Sequence, residues 1–63
     1  MKNFYYHYSI VYGWAVYDRL TNTPAYEAVS AVYPHGASPI MLTEAKAAIM
    51  CSRLNAASRK GHI

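Results

Sequence analysis

The sequence is poor in the residues from which disulfides, metal sites and phosphate-binding loops are built. It has one cysteine, Cys51, and three glycines, which excludes a disulfide framework, a cysteine-rich metal site and a glycine-rich phosphate loop. It has no apolar run of the roughly 18 residues needed to cross a bilayer, and its first residues lack a signal-peptide pattern. We therefore expect a soluble protein of a reducing cytoplasm with no membrane partner.

Acidic residues are also scarce, whereas tyrosine is abundant. Six Lys and Arg stand against three acids, and the net charge of +3 mildly favours anionic partners. Seven tyrosines supply much of the bulky apolar volume, because many of the other hydrophobic residues are alanines. We expect one domain over residues 1–63, and a domain this small buries only about 60% of the surface that its unfolded chain exposes. Its stability is expected to depend partly on self-association or on a partner.

Aromatic and β-branched residues alternate over residues 3–18, which predicts strand rather than helix. Gly13 interrupts this run and leaves two arrangements open. The favoured one is a single long strand bent at a glycine bulge, because Tyr12-Gly13 is a poor sequence for a two-residue hairpin turn. The other is a pair of strands joined tightly at these two residues. The choice decides which tyrosines face outward, since a slip of one residue exchanges the two faces.

Turn-forming residues follow this run. Residues 18–24 contain Asp, Asn and Pro, which predicts a hairpin turn, and a returning strand is expected over residues 25–33. Residues 34–39 contain two prolines and a glycine and are expected to form a loop that crosses the sheet. The predicted fold is α+β, with a two- or three-stranded antiparallel β-sheet (strands at about 3–18 and 25–33) and one C-terminal α-helix packed on one face.

The last third of the sequence predicts a helix over about residues 44–58. Thr43 suits the N-cap, Glu44 places negative charge at the positive end of the helix dipole, and Gly61 is a suitable stop. A narrow stripe on one side contains Ala45, Ile49 and Ala56; it is either merely exposed or, through Ile49, a contact with another molecule. On the opposite side lies the apolar stripe expected to pack on the sheet: Ala47, Met50, Cys51, Leu54 and Ala57.

No constellation of residues predicts catalysis. His7, His35 and His62 are spread over a strand, a loop and the tail, and no two potential ligands have the spacing that places them on one helical face. Cys51 lies on the inward stripe, where it is expected to act as a small hydrophobic residue. The prediction is a protein that is not an enzyme and has neither a metal nor a cofactor.

Tyrosine offers a large contact area at low entropic cost and is common at interfaces between proteins. One short helix cannot cover all seven tyrosines, so some are either half-exposed sheet residues or contacts for a partner. Unpaired strand edges add to the second interpretation, because only Lys2 and His7 guard the first strand, and a homodimer would cover both edge and rings. The residues predicted to bind a partner are Tyr5, His7, Tyr12, Tyr17, Tyr26 and Ile49.

A row of cations leads to a second hypothesis. Lys46, Arg53 and Lys60 recur every seven residues and share one side of the predicted helix, and Arg59 extends its basic end. The row is either a solvated face that complements the helix dipole, a basic rim around a protein-binding surface, or a contact for nucleic acid phosphates. The second hypothesis is a small DNA- or RNA-binding accessory protein.

Two segments resemble very small proteins encoded by phages and mobile elements. Residues 14–18 with the Thr-Asn-Thr-Pro turn, and Leu-Thr-Glu-Ala-Lys-Ala at 42–47, are similar to their strand, turn, strand and T-x-E-A-type helix. Some of these proteins are anti-CRISPR inhibitors or other host-takeover factors that dock on a larger host complex. Others resemble the arm-binding N-terminal domains of phage integrases, which read DNA through strands bearing Arg and Lys. This chain has Tyr, Val and Ala in its predicted strands instead.

Residues and resemblance together predict a non-catalytic protein-interaction module. The resemblance implies a phage-encoded inhibitor that docks on a host defence complex in the bacterial cytoplasm. Its expected partner is a larger host protein or nucleoprotein complex, with a second copy of the chain as a further partner and nucleic acid as the second choice.

Overall fold

The computed structural model describes residues 1–63 and contains three strands followed by two helices. Strands β1 (Phe4–Ser9), β2 (Gly13–Asp18) and β3 (Thr23–Pro24) form one antiparallel sheet in the order β1-β2-β3. Helices α1 (Tyr26–Val32) and α2 (Glu44–Arg59) complete the chain. The predicted α+β fold with a C-terminal helix is confirmed, and α1 is an additional helix.

β1 and β2 form a hairpin, so the favoured prediction of one long bent strand is wrong. Ser9 pairs with Gly13, and the three residues between them make the turn. The Ser9 side chain closes it, because its Oγ accepts a hydrogen bond from the Tyr12 N–H at 3.0 Å. Gly13 has φ +64°, a left-handed backbone conformation that is strained for residues with a Cβ. A three-residue turn of this kind lies outside the two-residue rule that disfavoured the hairpin.

Residues 25–33, predicted as a strand, contain α1 instead, with Ala25 and Tyr33 as its caps. Pro24 ends β3 after two residues, so the third strand is much shorter than expected. The apolar residues that follow alternate partly as in a strand, but they also fit a helix, and their burial against α2 and the sheet favours the helix. Four of them have the i, i+3, i+4, i+7 spacing of a helix face: Ala25, Ala28, Val29 and Val32.

β2 is the central strand because both of its edges are occupied. β1 pairs along one edge, while β3 and the end of the predicted loop occupy the other. The Val16 N–H donates to the Pro39 carbonyl at 2.9 Å, and the Val16 carbonyl accepts from the Ala25 N–H at 3.0 Å. The Leu42 N–H donates to the Trp14 carbonyl at 2.9 Å. Residues 34–39 form a loop, as predicted, and the end of this loop pairs with the edge of β2 that lies opposite β1.

α2 matches its prediction to within one residue. The Thr43 Oγ1 accepts a hydrogen bond from the Lys46 N–H at 3.2 Å, as expected of an N-cap. At the other end Gly61 has φ +78° and its N–H donates to the Ser58 carbonyl at 3.1 Å, a left-handed glycine cap. The predicted inner stripe is buried throughout: Ala47, Met50, Cys51, Leu54 and Ala57.

Both helices pack on the same face of the sheet. Phe4 of β1 and Val16 of β2 belong to one buried cluster with Val29 of α1 and Leu54 of α2. Successive side chains of a strand alternate between faces, so the odd-numbered residues of β1 and β2 point to the opposite side. No helix covers that outer face, which is therefore protected only by its own side chains.

Candidate protein-interaction surface

The outer face of the sheet carries a stack of aromatic rings. Tyr5 lies opposite Tyr17 in the strand register, and their ring centroids are 5.3 Å apart at an interplanar angle of 14°. His7 stacks on Tyr17 with a centroid distance of 4.6 Å and an angle of 27°. Tyr12, from the turn, meets Tyr17 edge-on at 6.4 Å. We refer to these four residues as the aromatic face.

Neighbouring groups hold the rings in place. The Arg19 guanidinium lies 4.7 Å from the centroid of the Tyr5 ring, in cation–π geometry. The Tyr5 hydroxyl donates to the Asn22 Oδ1 at 3.0 Å, and the Tyr17 hydroxyl donates to the Ser9 Oγ at 3.4 Å. These contacts restrict the motion of the rings, and a restricted side chain loses less entropy in an interface than a free one.

The members of the aromatic face differ in exposure. Tyr17 is only 5% exposed, and Ala15, on the same face of β2, is fully buried. Tyr5 and Tyr12 are half-buried, and His7 is exposed. Tyr17 is therefore a support for the other rings, and a molecule lying on this face contacts mainly His7, Tyr5 and Tyr12.

Two residues predicted to bind the same partner lie elsewhere. Tyr26 is the first residue of α1, and Ile49 lies on the outward side of α2; about half of each side chain is exposed. Because both helices pack on the inner face, the sheet lies between these residues and the aromatic face. The structure thus brings together four of the six predicted residues and separates the other two from them.

Other exposed apolar residues were missed by the sequence analysis. Tyr6 and Tyr8, on the inner face of β1, are 39% and 59% exposed. Both rings contact Trp14 of β2, with centroid distances of 6.1 and 5.9 Å. At the turn of the hairpin Ile10 and Val11 are even more exposed. Their positions follow from the β1–β2 register, which the sequence left open.

The cations of α2 divide between two surfaces. Lys46 and Arg53 border an open groove of about 350 Å³ between α2 and the preceding loop, where the Arg53 Nη1 donates to the Tyr33 hydroxyl at 3.5 Å. Arg59 lines a separate cavity of about 260 Å³ with the N-terminal residues. Lys60 is the exposed C-cap of α2. All four side chains are accessible, and none of them lies on the aromatic face.

Cys51 is buried in the core, as its place on the inner stripe predicted. Burial raises the pKa of its thiol, and the positive charge of Arg19 and a hydrogen bond from the Asn55 Nδ2 only partly offset this effect. A buried thiol with a raised pKa is protonated at neutral pH and a poor nucleophile. No three His, Cys, Asp or Glu side chains lie close enough together to hold a metal ion.

Neither helix has both the length and the apolar composition needed to cross a membrane. Comparison of the chain with protein-family models, with curated proteins and with solved structures finds no match.

Proposed function

We propose that this protein is a non-catalytic interaction module that binds a protein partner through the aromatic face. One observation carries the proposal: Tyr5, His7 and Tyr12 lie on the outer side of the sheet, where no helix covers them. Their rings present flat apolar area together with polar groups that tolerate water. A restrained cluster of this kind suits the centre of a protein interface, where a few aromatic residues provide most of the binding free energy.

The distribution of charge favours a protein partner over nucleic acid on this face. β1 and β2 contain no Lys or Arg. The one cation beside the rings is Arg19, whose guanidinium already lies over Tyr5. Platforms for single-stranded nucleic acid combine stacking rings with Lys and Arg that follow the phosphates. The aromatic face lacks that second component, so a protein surface is the better fit.

The resemblance to small phage proteins suggests what such binding achieves. An inhibitor of a host defence complex needs affinity rather than chemistry of its own, and a pre-organised face supports affinity. Arg53, Arg59 and Lys60 are exposed cations of α2 outside the aromatic face, and their positive charge favours the approach of acidic or nucleoprotein surfaces. We extend the proposal to this role, an anti-CRISPR-like inhibitor that acts in the cytoplasm of a bacterial host.

Affinity capture from a bacterial lysate, with and without nuclease, tests the proposal. The tagged chain is compared with a Tyr5→Ala/His7→Ala variant and with Tyr26→Ala, a matched control because Tyr26 is exposed on the other side of the sheet. We expect a captured protein that survives nuclease treatment, is lost from the double variant and is retained by the control. Capture that the double variant retains, or that nuclease removes, would contradict the proposal.

The cation row supports one alternative, a small DNA- or RNA-binding accessory protein. Lys46, Arg53 and Lys60 are exposed at seven-residue spacing along α2. This function predicts retention of a duplex or a single strand that weakens steeply with added salt and that Arg53→Glu removes. Equal retention by the Tyr5→Ala/His7→Ala variant would locate such binding on α2 rather than on the aromatic face.

A further inference from the structure

The outer edge of β1, which pairs with no strand, is covered by the chain's own side chains only at its Phe4 end. Because the Val16 N–H and carbonyl point away from β1, to Pro39 and Ala25, its cross-strand neighbour Tyr6 also directs its backbone groups away from β2. The same alternation applies to Phe4 and Tyr8. These three residues of β1 therefore present their N–H and carbonyl groups along the outer edge of the sheet.

Asn55 of α2 occupies the edge at Phe4. Its Oδ1 accepts a hydrogen bond from the Phe4 N–H at 2.9 Å, and its Nδ2 donates to the Phe4 carbonyl at 3.2 Å. One side-chain amide thus makes both hydrogen bonds that a neighbouring strand would make. Covering an edge with a helix is one of the ways in which proteins prevent unwanted strand pairing.

The edge beyond Phe4 has no such cover. The Tyr6 N–H, the Tyr6 carbonyl and the Tyr8 N–H have no hydrogen-bond partner within the chain. The Tyr8 carbonyl meets only the His7 Nδ1, at 3.0 Å, which leaves it able to accept a second hydrogen bond. β1 also contains no proline, lysine or acidic residue, which are the usual guards of an exposed edge.

We propose that a second copy of this chain pairs with this edge, antiparallel to β1, about a two-fold axis at His7. Tyr6 then exchanges two hydrogen bonds with the partner's Tyr8, and Tyr8 exchanges two with the partner's Tyr6. The result is a continuous six-stranded sheet. This inference does not rest on the proposed function, because it uses backbone groups at the edge of β1, although the axis brings His7 of the aromatic face beside the partner's His7.

The position of Asn55 selects this register among the antiparallel ones. A shift that pairs Tyr6 with the partner's Tyr6 would place a Tyr8 backbone against Phe4, where the Asn55 side chain already lies. The opposite shift would place Tyr6 against Ile10, which belongs to the turn rather than to the strand. Pairing centred on His7 uses the two open positions and no others.

The helices are compatible with this arrangement in both size and charge. Strands pair about 4.8 Å apart, so the two-fold axis brings the two copies of α2, each packed on β1 and β2 of its own chain, side by side on one face of the sheet. Such an approach favours small side chains, and Ala48 and Ser52 share the Asn55 side of α2 by helical spacing. Glu44 and Arg59 lie at opposite ends of that side, so a two-fold axis brings the acidic end of each helix towards the basic end of the other.

Disulfide trapping tests the register directly. Residues opposite each other in a non-hydrogen-bonded antiparallel pair have Cα atoms about 4.5 Å apart, within the range that a disulfide spans. In a Cys51→Ala background that circular dichroism shows to be folded, His7→Cys should give a covalent dimer as the main product of mild oxidation. Tyr5→Cys alone should give no covalent dimer, whereas a mixture of Tyr5→Cys and Ser9→Cys chains should cross-link, because these positions face each other across the axis.

Equal cross-linking of His7→Cys and Tyr5→Cys would overturn the proposed register. Sedimentation of the unaltered protein provides a measurement that needs no cysteine: the 7.1 kDa chain should approach twice that mass as its concentration rises. Tyr8→Lys places a charge on the open edge and should restore the monomer, whereas Tyr26→Lys, on α1, should not. A wild-type protein that remains monomeric at all concentrations would overturn the proposal as a whole.

Discussion

The two faces of the sheet are protected in different ways. On the inner face Phe4 and Val16 pack against two helices, and Val16 is fully buried there together with Val29 of α1 and Leu54 of α2. On the outer face aromatic rings cover one another, and only Tyr17 and Ala15 are removed from solvent. The inner face therefore provides most of the free energy of folding, while the outer face leaves Tyr5, His7 and Tyr12 accessible.

Truncation of the inner face should have the largest effect on stability. Leu54 is 0% exposed, so Leu54→Ala removes buried methyl groups and leaves a cavity, at a cost of about 3 kcal/mol. Ile49→Ala is the matched control on the same helix, because Ile49 is half exposed, and it should cost less than about 1 kcal/mol. Urea denaturation followed by circular dichroism measures both. Similar losses for the two variants would mean that the inner face is not the main core.

Loss of the two hydrogen bonds between Asn55 of α2 and Phe4 of β1 should have the second largest effect on stability. Asn55→Ala removes two hydrogen bonds and leaves the backbone groups of the buried Phe4 without partners, which should cost about 2 kcal/mol. Ser52 is an exposed α2 residue with no side-chain hydrogen bond, so Ser52→Ala should change stability by less than about 0.5 kcal/mol. If the two variants unfold at the same urea concentration, water hydrogen-bonds to the Phe4 N–H and carbonyl as well as the Asn55 side chain does.

The core of α2 could be predicted because every local signal there agrees. Thr43, Gly61 and the five-residue inner stripe each indicate the same helix, and each lies where expected. The apolar residues of 25–33 fit two patterns, since their alanines and valines match both the two-residue period of a strand and the 3.6-residue period of a helix. Packing against α2 and the sheet decides between them, and no local pattern contains that information.

The candidate site could be predicted only in part, for a related reason. Tyrosine content indicated a surplus of aromatic area, but which rings share a face depends on the turn at Gly13, where the sequence left two arrangements open. Asn55 and Phe4 are 51 residues apart, so their contact leaves no local signature. Tyr26 was placed with the other tyrosines through a strand that is in fact a helix.

Gly13 maintains the register that separates the two faces, and its substitution should have the third largest effect. A Cβ at this position would meet Met41 atoms at 3.6 Å, an ordinary contact, so the cost of Gly13→Ala comes from the left-handed backbone. We expect a loss of about 1–2 kcal/mol. Gly13→Asn is the matched control, because asparagine tolerates this conformation better than alanine does. The unfolding temperature should be highest with glycine at position 13, lower with asparagine and lowest with alanine. Any other order would mean that the left-handed backbone at this position does not determine the cost.

Substitution on the aromatic face should affect folding least and binding most. Tyr5→Leu removes the stacking on Tyr17, the contact with Arg19 and the hydrogen bond to Asn22, but it keeps a hydrophobic side chain, so the stability loss should be about 1 kcal/mol. Capture of the partner should nevertheless fall sharply, because a flat ring in a protein interface is poorly replaced by a branched aliphatic group. Unfolding and capture are therefore measured on the same preparation. A loss of stability as large as that of Leu54→Ala would show that the rings form a second core, and the distinction between a structural face and a binding face would fail.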